Sequence, residues 1–196
     1  MKETIPQSTF AKQIIAKNTS VFPEFRAWKF LPGMLFQSME KWWGNGGTRL
    51  RPHEGLDLCL YLEHSGNARH LPTETQIPAL YDGTIVSIIR DFMGLSIFVG
   101  SQFKEGQALV WAFGHMAPHE RLSEGLKISM GELLGTLAAN TKKGGPPSHL
   151  HISMGWLKTG NPPTRADWDL MVDSSVISLL DPLQVLGLKS PLVERP

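Results

Sequence analysis

The segment Ser-His-Leu-His-Ile-Ser at residues 148–153 carries two histidines, separated by one residue, among β-favouring side chains. Side chains alternate along a strand, so His149 and His151 are predicted to project from one face, about 7 Å apart at ~3.3 Å per residue. Two imidazoles over one small volume can bind a metal ion or transfer protons. A His-x-His pair alone is weak evidence of function, so a second set of polar residues is needed.

Residues 53–57, with the sequence His-Glu-Gly-Leu-Asp, supply that second set. They differ from the helical zinc motif His-Glu-x-x-His, because Asp57 takes the place of the second histidine and Gly55 disfavours a helix. In an extended segment His53 and Asp57 face one way and Glu54 faces the other, so Glu54 is not expected to be the base.

Two imidazoles and one carboxylate form a suitable ligand set for zinc, because they leave the fourth tetrahedral position open for water. Zinc in such a site lowers the pKa of the water and polarises the carbonyl group under attack. Individually, His53 could be an ordinary loop histidine and Asp57 an ordinary turn carboxylate. The geometry of a strand does not say which of His149 and His151 would be the ligand.

A third segment ends in Phe-Gly-His-Met, with His115 at the end of a predicted strand. Histidine is intermediate in burial, and His115 taken alone is more often a residue at the edge of the core than a catalyst. Three further histidines lie in polar segments and are given no role: His64, His70 and His119.

The elements that must position these residues are predicted to be mainly β-strands. Strands are predicted over 56–62, 84–89, 95–99 and 108–113 and around the two downstream histidines, separated by glycine- and proline-containing turns. Residues 10–17 are predicted to form a short helix, 126–137 short turns, and 176–188 a closing strand or helical turn.

Residues 22–43 hold seven of the 17 aromatic side chains, and a glycine-rich break follows at 44–47. The aromatic residues are predicted to pack on the main domain, since aromatic side chains dominate core burial; the alternative is that some of them wall a substrate groove. The predicted organisation is an N-terminal extension at 1–48 that packs on a core domain at 49–196.

Composition excludes several classes of function. The formal net charge is +1 without a basic stripe, which gives no electrostatic basis for nucleic-acid binding. Cys59 is the only cysteine, so an internal disulfide and a cysteine-built zinc site are excluded.

No segment approaches the ~18 apolar residues of a membrane span. No apolar signal sequence follows Met1, which leaves the compartment open.

Taken together, these motifs resemble those of the lysostaphin-like, LytM-type zinc endopeptidases, a family of peptidoglycan hydrolases. That family has a His-x-x-x-Asp motif, a later Tyr-x-His-Leu-like strand end and a final His-Leu-His strand, in this order. The corresponding residues here are His53 and Asp57, Phe113 to Met116, and His149 to His151. The resemblance covers about residues 49–156, and Asp-Pro-Leu at 181–183 resembles the closing element of the family.

The resemblance implies a fold of antiparallel sheets, a barrel-sandwich hybrid-like peptidase domain. It implies one zinc ion per chain, with His53, Asp57 and His151 as ligands. His115 and His149 would be the catalytic histidines, one acting as general base and both stabilising the transition state.

The implied substrates are stem or cross-bridge peptides of peptidoglycan, and the implied location is the cell envelope, periplasmic or extracellular. The visible sequence also fits a cytoplasmic protein, and it does not predict the oligomeric state. The alternatives are a non-catalytic wall-binding or regulatory module with the same fold, and a zinc peptidase that acts on a substrate other than the wall.

The chain departs from the family pattern at three places. Phe113 replaces a tyrosine, Ser153 stands where a glutamate often follows the last strand, and residues 140–143 replace a Gly-x-Thr-Gly-like turn. None of these changes removes an expected ligand. They concern substrate choice and catalytic efficiency.

Overall fold

The computed structural model describes residues 6–103, 106–140, 142–158, 160–188 and 192–193. Strands make up most of its regular structure, as predicted. They are β1 (Phe25–Phe30), β2 (Gly55–Leu58), β3 (Leu60–Glu63), β4 (Ala68–His70), β5 (Ile77–Pro78), β6 (Gly83–Arg90), β7 (Leu95–Gln102), β8 (Ala108–Pro118), β9 (Lys127–Ile128), β10 (Leu133–Leu137), β11 (Leu150–Leu157), β12 (Ile177–Leu179) and β13 (Leu192–Val193).

The strands form two sheets. The larger sheet has the order β12-β11-β8-β7-β6-β9, with β2 paired to β11 and with β10 paired to both β8 and β5. The smaller sheet has the order β13-β1-β3-β4. The pair β1–β13 is parallel, and the other strand pairs of the described residues are antiparallel.

The helices are short, with eight and five residues. Helix α1 spans Phe10–Lys17 as predicted, and helix α2 spans Trp168–Val172 with the side chain of Asp167 accepting a hydrogen bond at its N-terminus. Single turns of 3₁₀ helix lie at Pro32–Met34 and Pro182–Gln184. No helix in the described ranges is long and apolar enough to cross a membrane.

Strand β8 shows how the larger sheet is covered on both faces. Leu109, Trp111 and Phe113 point into the main core, while the alternate residues Val110 and Ala112 pack in a second apolar cluster on the opposite face, which also contains residues of α2. Burial on both faces explains why the sequence of β8 is almost continuously apolar. Strand β11 follows the same alternation, because Leu150 and the residues two and four positions later are in the main core.

The predicted strand at 56–62 is interrupted at Cys59, and its two halves enter different sheets. Strand β2 pairs with β11 in the larger sheet, whereas β3 pairs with β1 in the smaller one. The chain thus crosses from one sheet to the other at Cys59, which is buried between them. The residues of β2 and β3 next to this crossing are buried on both faces. Because the residues at the crossing are apolar, their sequence does not indicate that the chain moves from one sheet to the other.

Strand β1 brings part of the N-terminal segment into the smaller sheet through its pairing with β3. Phe22, Trp28 and Phe30 are buried, and the ring of Phe22 contacts those of Trp28 and Tyr61 at centroid distances of 6.2 and 5.3 Å. These aromatic residues therefore contribute to the core. The division of the chain at residue 48 stays a prediction.

We expect Trp28→Ala to lower the free energy of unfolding by about 3–5 kcal/mol, because it leaves a cavity among packed aromatic rings. Phe92→Ala is the control, since the Phe92 side chain is 54% exposed and its loss is expected to cost less than ~1 kcal/mol. Denaturant unfolding of both variants provides the measurement. Equal stability of the parent and Trp28→Ala would contradict the structural role.

Candidate active site

The five residues singled out from sequence line one cavity of about 360 Å³, together with residues of the surrounding loops. They are His53, Asp57, His115, His149 and His151. All five are buried. Segments that are distant in sequence therefore converge on one site, which lies on the face of the larger sheet opposite the main core.

The register of the larger sheet explains this convergence. His151 on β11 lies directly opposite Asp57 on β2 and, on its other side, opposite Gly114 on β8. His149 lies one residue before β11. The predicted alternation therefore holds, with both histidines on the site face.

Glycines at two positions permit this close packing. A Cβ atom at Gly55 would lie 2.3 Å from the carbonyl oxygen of Ile152 and 3.0 Å from the His151 ring. A Cβ atom at Gly114 would lie 3.1 Å from the Trp168 ring and 3.3 Å from the Cβ atom of His151. Side chains at these positions would separate the strands that bring the site together.

Three polar atoms form a tight triangle in the cavity. Oδ1 of Asp57 lies 2.8 Å from Nδ1 of His151 and 3.2 Å from Nε2 of His53, and the two nitrogens are 3.2 Å apart. His53, Asp57 and His151 could therefore hold a metal ion with one ligand atom each.

The hydrogen bonds of the His53 and His151 imidazoles indicate which ring nitrogens are bare, that is, carry no proton. Nδ1 of His53 lies 3.1 Å from the carbonyl oxygen of Leu35, which can only accept, so Nδ1 carries the proton and Nε2 is bare. Nε2 of His151 lies 3.0 Å from the Ser153 hydroxyl, which itself donates to the carbonyl oxygen of Glu54. Nε2 of His151 is therefore the donor, which leaves Nδ1 bare.

Two bare nitrogens and a carboxylate oxygen thus face one another and require a cation between them. A proton on His151 satisfies this requirement in the metal-free protein. Burial lowers the pKa of His151, but hydrogen bonds to Asp57 and Glu54 outweigh it and raise that pKa to about 9. A divalent ion bound by neutral imidazoles and an ionised carboxylate is the alternative, and the donor set fits it.

The carboxylate of Asp57 stays ionised although it is buried. Burial raises the pKa of Asp57, but the surrounding imidazoles of His149, His151 and His53 hold that pKa well below its usual range. The second oxygen, Oδ2, accepts a hydrogen bond from the indole N–H of Trp42 at 2.6 Å and lies 3.4 Å from the Arg49 guanidinium.

Trp42 and Arg49 were not singled out as site residues from sequence. Both fix the loop that precedes β2, because Arg49 also donates hydrogen bonds to the carbonyl oxygens of Gly33 and Glu40 at 2.9 and 3.0 Å. The available signal was the position of Trp42 next to a glycine-rich break, but the sequence does not indicate which carboxylate an indole N–H will reach.

Glu54 lies in the site but not in the position of a base. Its Oε1 is 3.4 Å from Nε2 of His151, the nitrogen that points away from the triangle. Burial raises the pKa of Glu54, but the hydrogen bond and charge of His151 outweigh this and lower it to about 2. Glu54 and Ser153 lie behind the His151 imidazole and fix the orientation of its ring.

His149 is neutral at physiological pH. Burial lowers its pKa to about 4, a shift that the charge of Asp57 opposes and the charge of His115 reinforces. Nδ1 of His149 lies 2.8 Å from the carbonyl oxygen of Pro147, so Nδ1 carries the proton. The bare Nε2 lies 3.6 Å from Oδ1 of Asp57, beside the triangle.

His115 occupies the opposite side of the cavity. Its ring is 4.7 Å from the ring of His149 and 4.4 Å from that of Phe92. Strand β8 continues beyond His115 to Pro118, so the residue lies within the strand and not at its end as predicted. Its backbone has a φ of +64°, an uncommon value for a residue other than glycine.

Aromatic side chains form much of the cavity wall. Trp43, Phe92 and Trp168 line it, and the Trp168 ring packs 5.0 Å from the His151 ring. Arg49 lies 4.8 Å above the Trp43 ring. Of the N-terminal aromatic residues, Trp43 thus lies in the cavity wall, whereas Trp28 is buried in the core. The alternative that such residues wall a substrate groove stays a prediction for Trp43.

Phe113, which replaces the tyrosine of the family pattern, does not reach the site. It is fully buried in the main core, with its ring 5.6 Å from that of Phe10 and 5.2 Å from that of Trp111. Ser153, the second departure, contacts His151 directly. One replaced position therefore belongs to the core, and the other contacts a candidate metal ligand.

Several solved structures resemble this fold. The catalytic domain of the antimicrobial peptidase lysostaphin from Staphylococcus simulans is 15% identical with a TM-score of 0.42, and the match covers 74% of this chain and 88% of that chain. The catalytic domain of a mutant of the prophage-encoded M23 protein EnpA from Enterococcus faecalis is 25% identical with a TM-score of 0.37, covering 55% and 71%. A chain of the SpoIIQ–SpoIIIAH pore-forming complex is 16% identical with a TM-score of 0.41, covering 76% and 72%.

The strands of the structure themselves confirm the mainly β fold with antiparallel sheets that was predicted from sequence. At these identities the likeness concerns the fold alone. No protein-family model matches the chain, and no curated protein matches it at a significant level.

The two histidine pKa values predict how the stability of the metal-free protein depends on pH. The pKa of His149 is about 4 in the folded state and 6.5 when unperturbed, so between these values the unfolded chain binds more protons and stability decreases as pH falls. The pKa of His151 is about 9, so its contribution is complete below pH 6.5 and is lost as pH rises through 9. These two histidines together place the optimum near pH 6.5.

Denaturant unfolding with a chelator present, at pH 5, 6.5 and 8.5, measures this dependence. His149→Gln should remove most of the decrease between pH 6.5 and 5, because the titrating group is gone; below about pH 5 the lowered pKa of Glu54 adds a decrease in both proteins. His119→Gln is the matched control, since His119 is exposed and outside the site, and it should leave the profile unchanged. An identical acid limb in parent and His149→Gln would contradict the assignment.

Proposed function

We propose that the protein is a zinc-dependent peptidase that hydrolyses peptide bonds. The observation that carries this proposal is the convergence of two bare imidazole nitrogens and one ionised carboxylate oxygen beside two further imidazoles. A structural zinc site has four protein ligands, whereas this site offers three in a cavity with room for a substrate. The shortage of a fourth ligand favours catalysis.

In this proposal Nε2 of His53, Oδ1 of Asp57 and Nδ1 of His151 hold the zinc ion. When bound, zinc would supply Lewis acidity and lower the pKa of a nearby water molecule. The hydrogen bonds at the far side of each ligand support this assignment, because Leu35, Ser153 and Glu54 hold the two rings with the required nitrogens bare. Trp42 occupies Oδ2 of Asp57 and leaves Oδ1 for the metal.

His149 is the proposed general base. It is neutral at pH 7, its Nδ1 proton is held by Pro147, and its bare Nε2 faces the triangle. It would accept the proton of the attacking water while the water oxygen bonds to the scissile carbonyl carbon. Return of the proton to the amine nitrogen would accompany cleavage of the C–N bond.

His115 is the proposed partner of His149. Its ring faces that of His149 in the cavity, where it can contact a substrate carbonyl held between them. Trp43, Phe92 and Trp168 would exclude water from the flanks of the substrate backbone.

Peptides of peptidoglycan are the proposed substrates, and the cell envelope is the proposed location. Both proposals rest on the motif resemblance. Defined stem and cross-bridge peptides should therefore be tested beside unrelated peptides. Faster cleavage of the unrelated peptides would overturn the proposed substrate class but would still support zinc-dependent peptide hydrolysis.

We expect one zinc ion per chain and loss of peptide cleavage on chelation, with recovery when zinc is added. His151→Ala and Asp57→Ala should abolish stoichiometric zinc binding, because two remaining ligands are too few for a stable catalytic site. Metal analysis of each purified variant provides the measurement, and His64→Ala, at an exposed histidine outside the site, is the control. Full zinc occupancy in His151→Ala would contradict the ligand assignment.

We expect His149→Ala and His115→Ala to retain zinc while the cleavage rate falls by ~10²–10⁴, the usual scale for removing an acid–base group. Zinc content and cleavage rate should be measured on the same preparations. Loss of zinc from His149→Ala would reverse the roles of His149 and His151. Stoichiometric zinc in the parent without cleavage of any peptide would identify a binding module instead of an enzyme.

A further inference from the structure

His115 faces the cavity although the alternation of β8 would bury it. Leu109, Trp111 and Phe113 point into the main core, and a regular strand would point His115 the same way. Met116, the next residue, is again in the main core. The strand must therefore depart from regular geometry between Phe113 and Met116.

A β-bulge between β7 and β8 produces this departure. Leu95 pairs with Met116 and Ile97 pairs with Phe113, so Gly114 and His115 together lie opposite the single residue Ser96. The φ of +64° at His115 is part of the same irregularity. A bulge of this kind redirects a side chain, and here it turns His115 from the core face to the site face.

The bulge leaves the backbone N–H of His115 outside the strand ladder, and Asp91 satisfies it. Oδ2 of Asp91 accepts this N–H at 2.8 Å. The same oxygen also lies 3.1 Å from Nδ1 of the His115 ring, but this contact does not have the geometry of a hydrogen bond. Nδ1 of His115 has no other partner among the described residues. A buried N–H without an acceptor is costly, so Asp91 stabilises the strained conformation.

Asp91 is itself held by three further donors. Oδ1 accepts the backbone N–H groups of Met93 and Gly94 at 2.8 and 2.7 Å, and Oδ2 accepts the Ser96 hydroxyl at 2.7 Å. The Ser96 hydroxyl in turn accepts the indole N–H of Trp168 at 3.1 Å, which directs the hydroxyl proton towards Asp91. Asp91 thus joins the β6–β7 turn, the bulge and the cavity wall.

We propose that Asp91 is a positioning residue that holds the bulge at His115 and thereby keeps the His115 imidazole in the cavity. This inference rests on the proposed function, in which His115 contacts the substrate. Four donors converge on the Asp91 side chain, and a carboxylate offers two accepting oxygens to meet them. Asparagine has nearly the same shape, but its amide group would present N–H donors to two of those four donors.

Asp91→Asn should lower kcat by about 10²-fold, the scale expected when a reacting group is displaced by roughly 1 Å, with KM within about twofold and zinc content unchanged. Ser96→Ala removes one of the four donors and should lower kcat by less. Asp82→Asn is the matched control, because Asp82 accepts a backbone N–H from Met130 outside the cavity, and it should leave kcat unchanged.

A double-mutant cycle with His115→Ala separates positioning from general damage to the fold. If Asp91 acts through His115, Asp91→Asn should cause no further loss of kcat in the His115→Ala protein. An equal loss in both backgrounds would overturn the proposal, because Asp91 would then act independently of His115. Should Asp91→Asn unfold, the same cycle is run with Ser96→Ala.

A second measurement does not require peptide cleavage and distinguishes failure of this inference from failure of the proposed function. NMR of the zinc-loaded parent should show a strongly shifted His115 amide proton and contacts from the His115 ring to the rings of Phe92 and His149. Asp91→Asn or Ser96→Ala should move that amide resonance and weaken the ring contacts, and Asp82→Asn should not. Unchanged His115 signals in both site variants would overturn the inference, whether or not the parent cleaves peptides.

Discussion

The buried carboxylate of Asp57 is the constraint on which the site depends. An unpaired carboxylate in the protein interior costs several kcal/mol, so its surroundings must supply donors or positive charge. Trp42 and Arg49 serve one oxygen, and His53 and His151 serve the other. These partners belong to the N-terminal segment, the loop before β2 and strand β11, so compensating one charge requires all three to be fixed together.

The same constraint links the protonation of the site to its capacity to hold a metal ion. Outer contacts from Leu35, Ser153 and Glu54 hold the rings of His53 and His151 with their bare nitrogens towards Asp57. Without a metal, a proton must occupy this space, which is why the pKa of His151 is raised to about 9. Metal and proton compete for the same lone pairs, so metal affinity should decrease towards acid pH.

The sequence was informative wherever the chemistry followed a regular alternation. Spacing alone placed His149 and His151 on one face. Alternation along residues 53–57 also indicated that Glu54 is not the base. It did not indicate that Glu54 lies behind the His151 ring. His115 shows the limit most clearly, because alternation would have buried it in the core. Its assignment came from the motif resemblance. The bulge that redirects His115 depends on a backbone N–H that the carboxylate of Asp91, 24 residues earlier, accepts, and alternation does not reveal such a contact. Trp42 and Arg49 were missed for the same reason: their contacts to Asp57 are long-range.

The position of the site on the sheet explains how a packed β protein can accommodate it. Strands β8 and β11 present large apolar side chains to the main core, which gives the sheet its stability, while glycine and serine on the opposite face leave space. At Gly114 that space admits both the Trp168 ring and His151. The segment around Leu35 and Trp42 then encloses the cavity from the other side and contacts two of the three candidate ligands. The N-terminal segment was expected to pack on the core, and these contacts make it a part of the site as well.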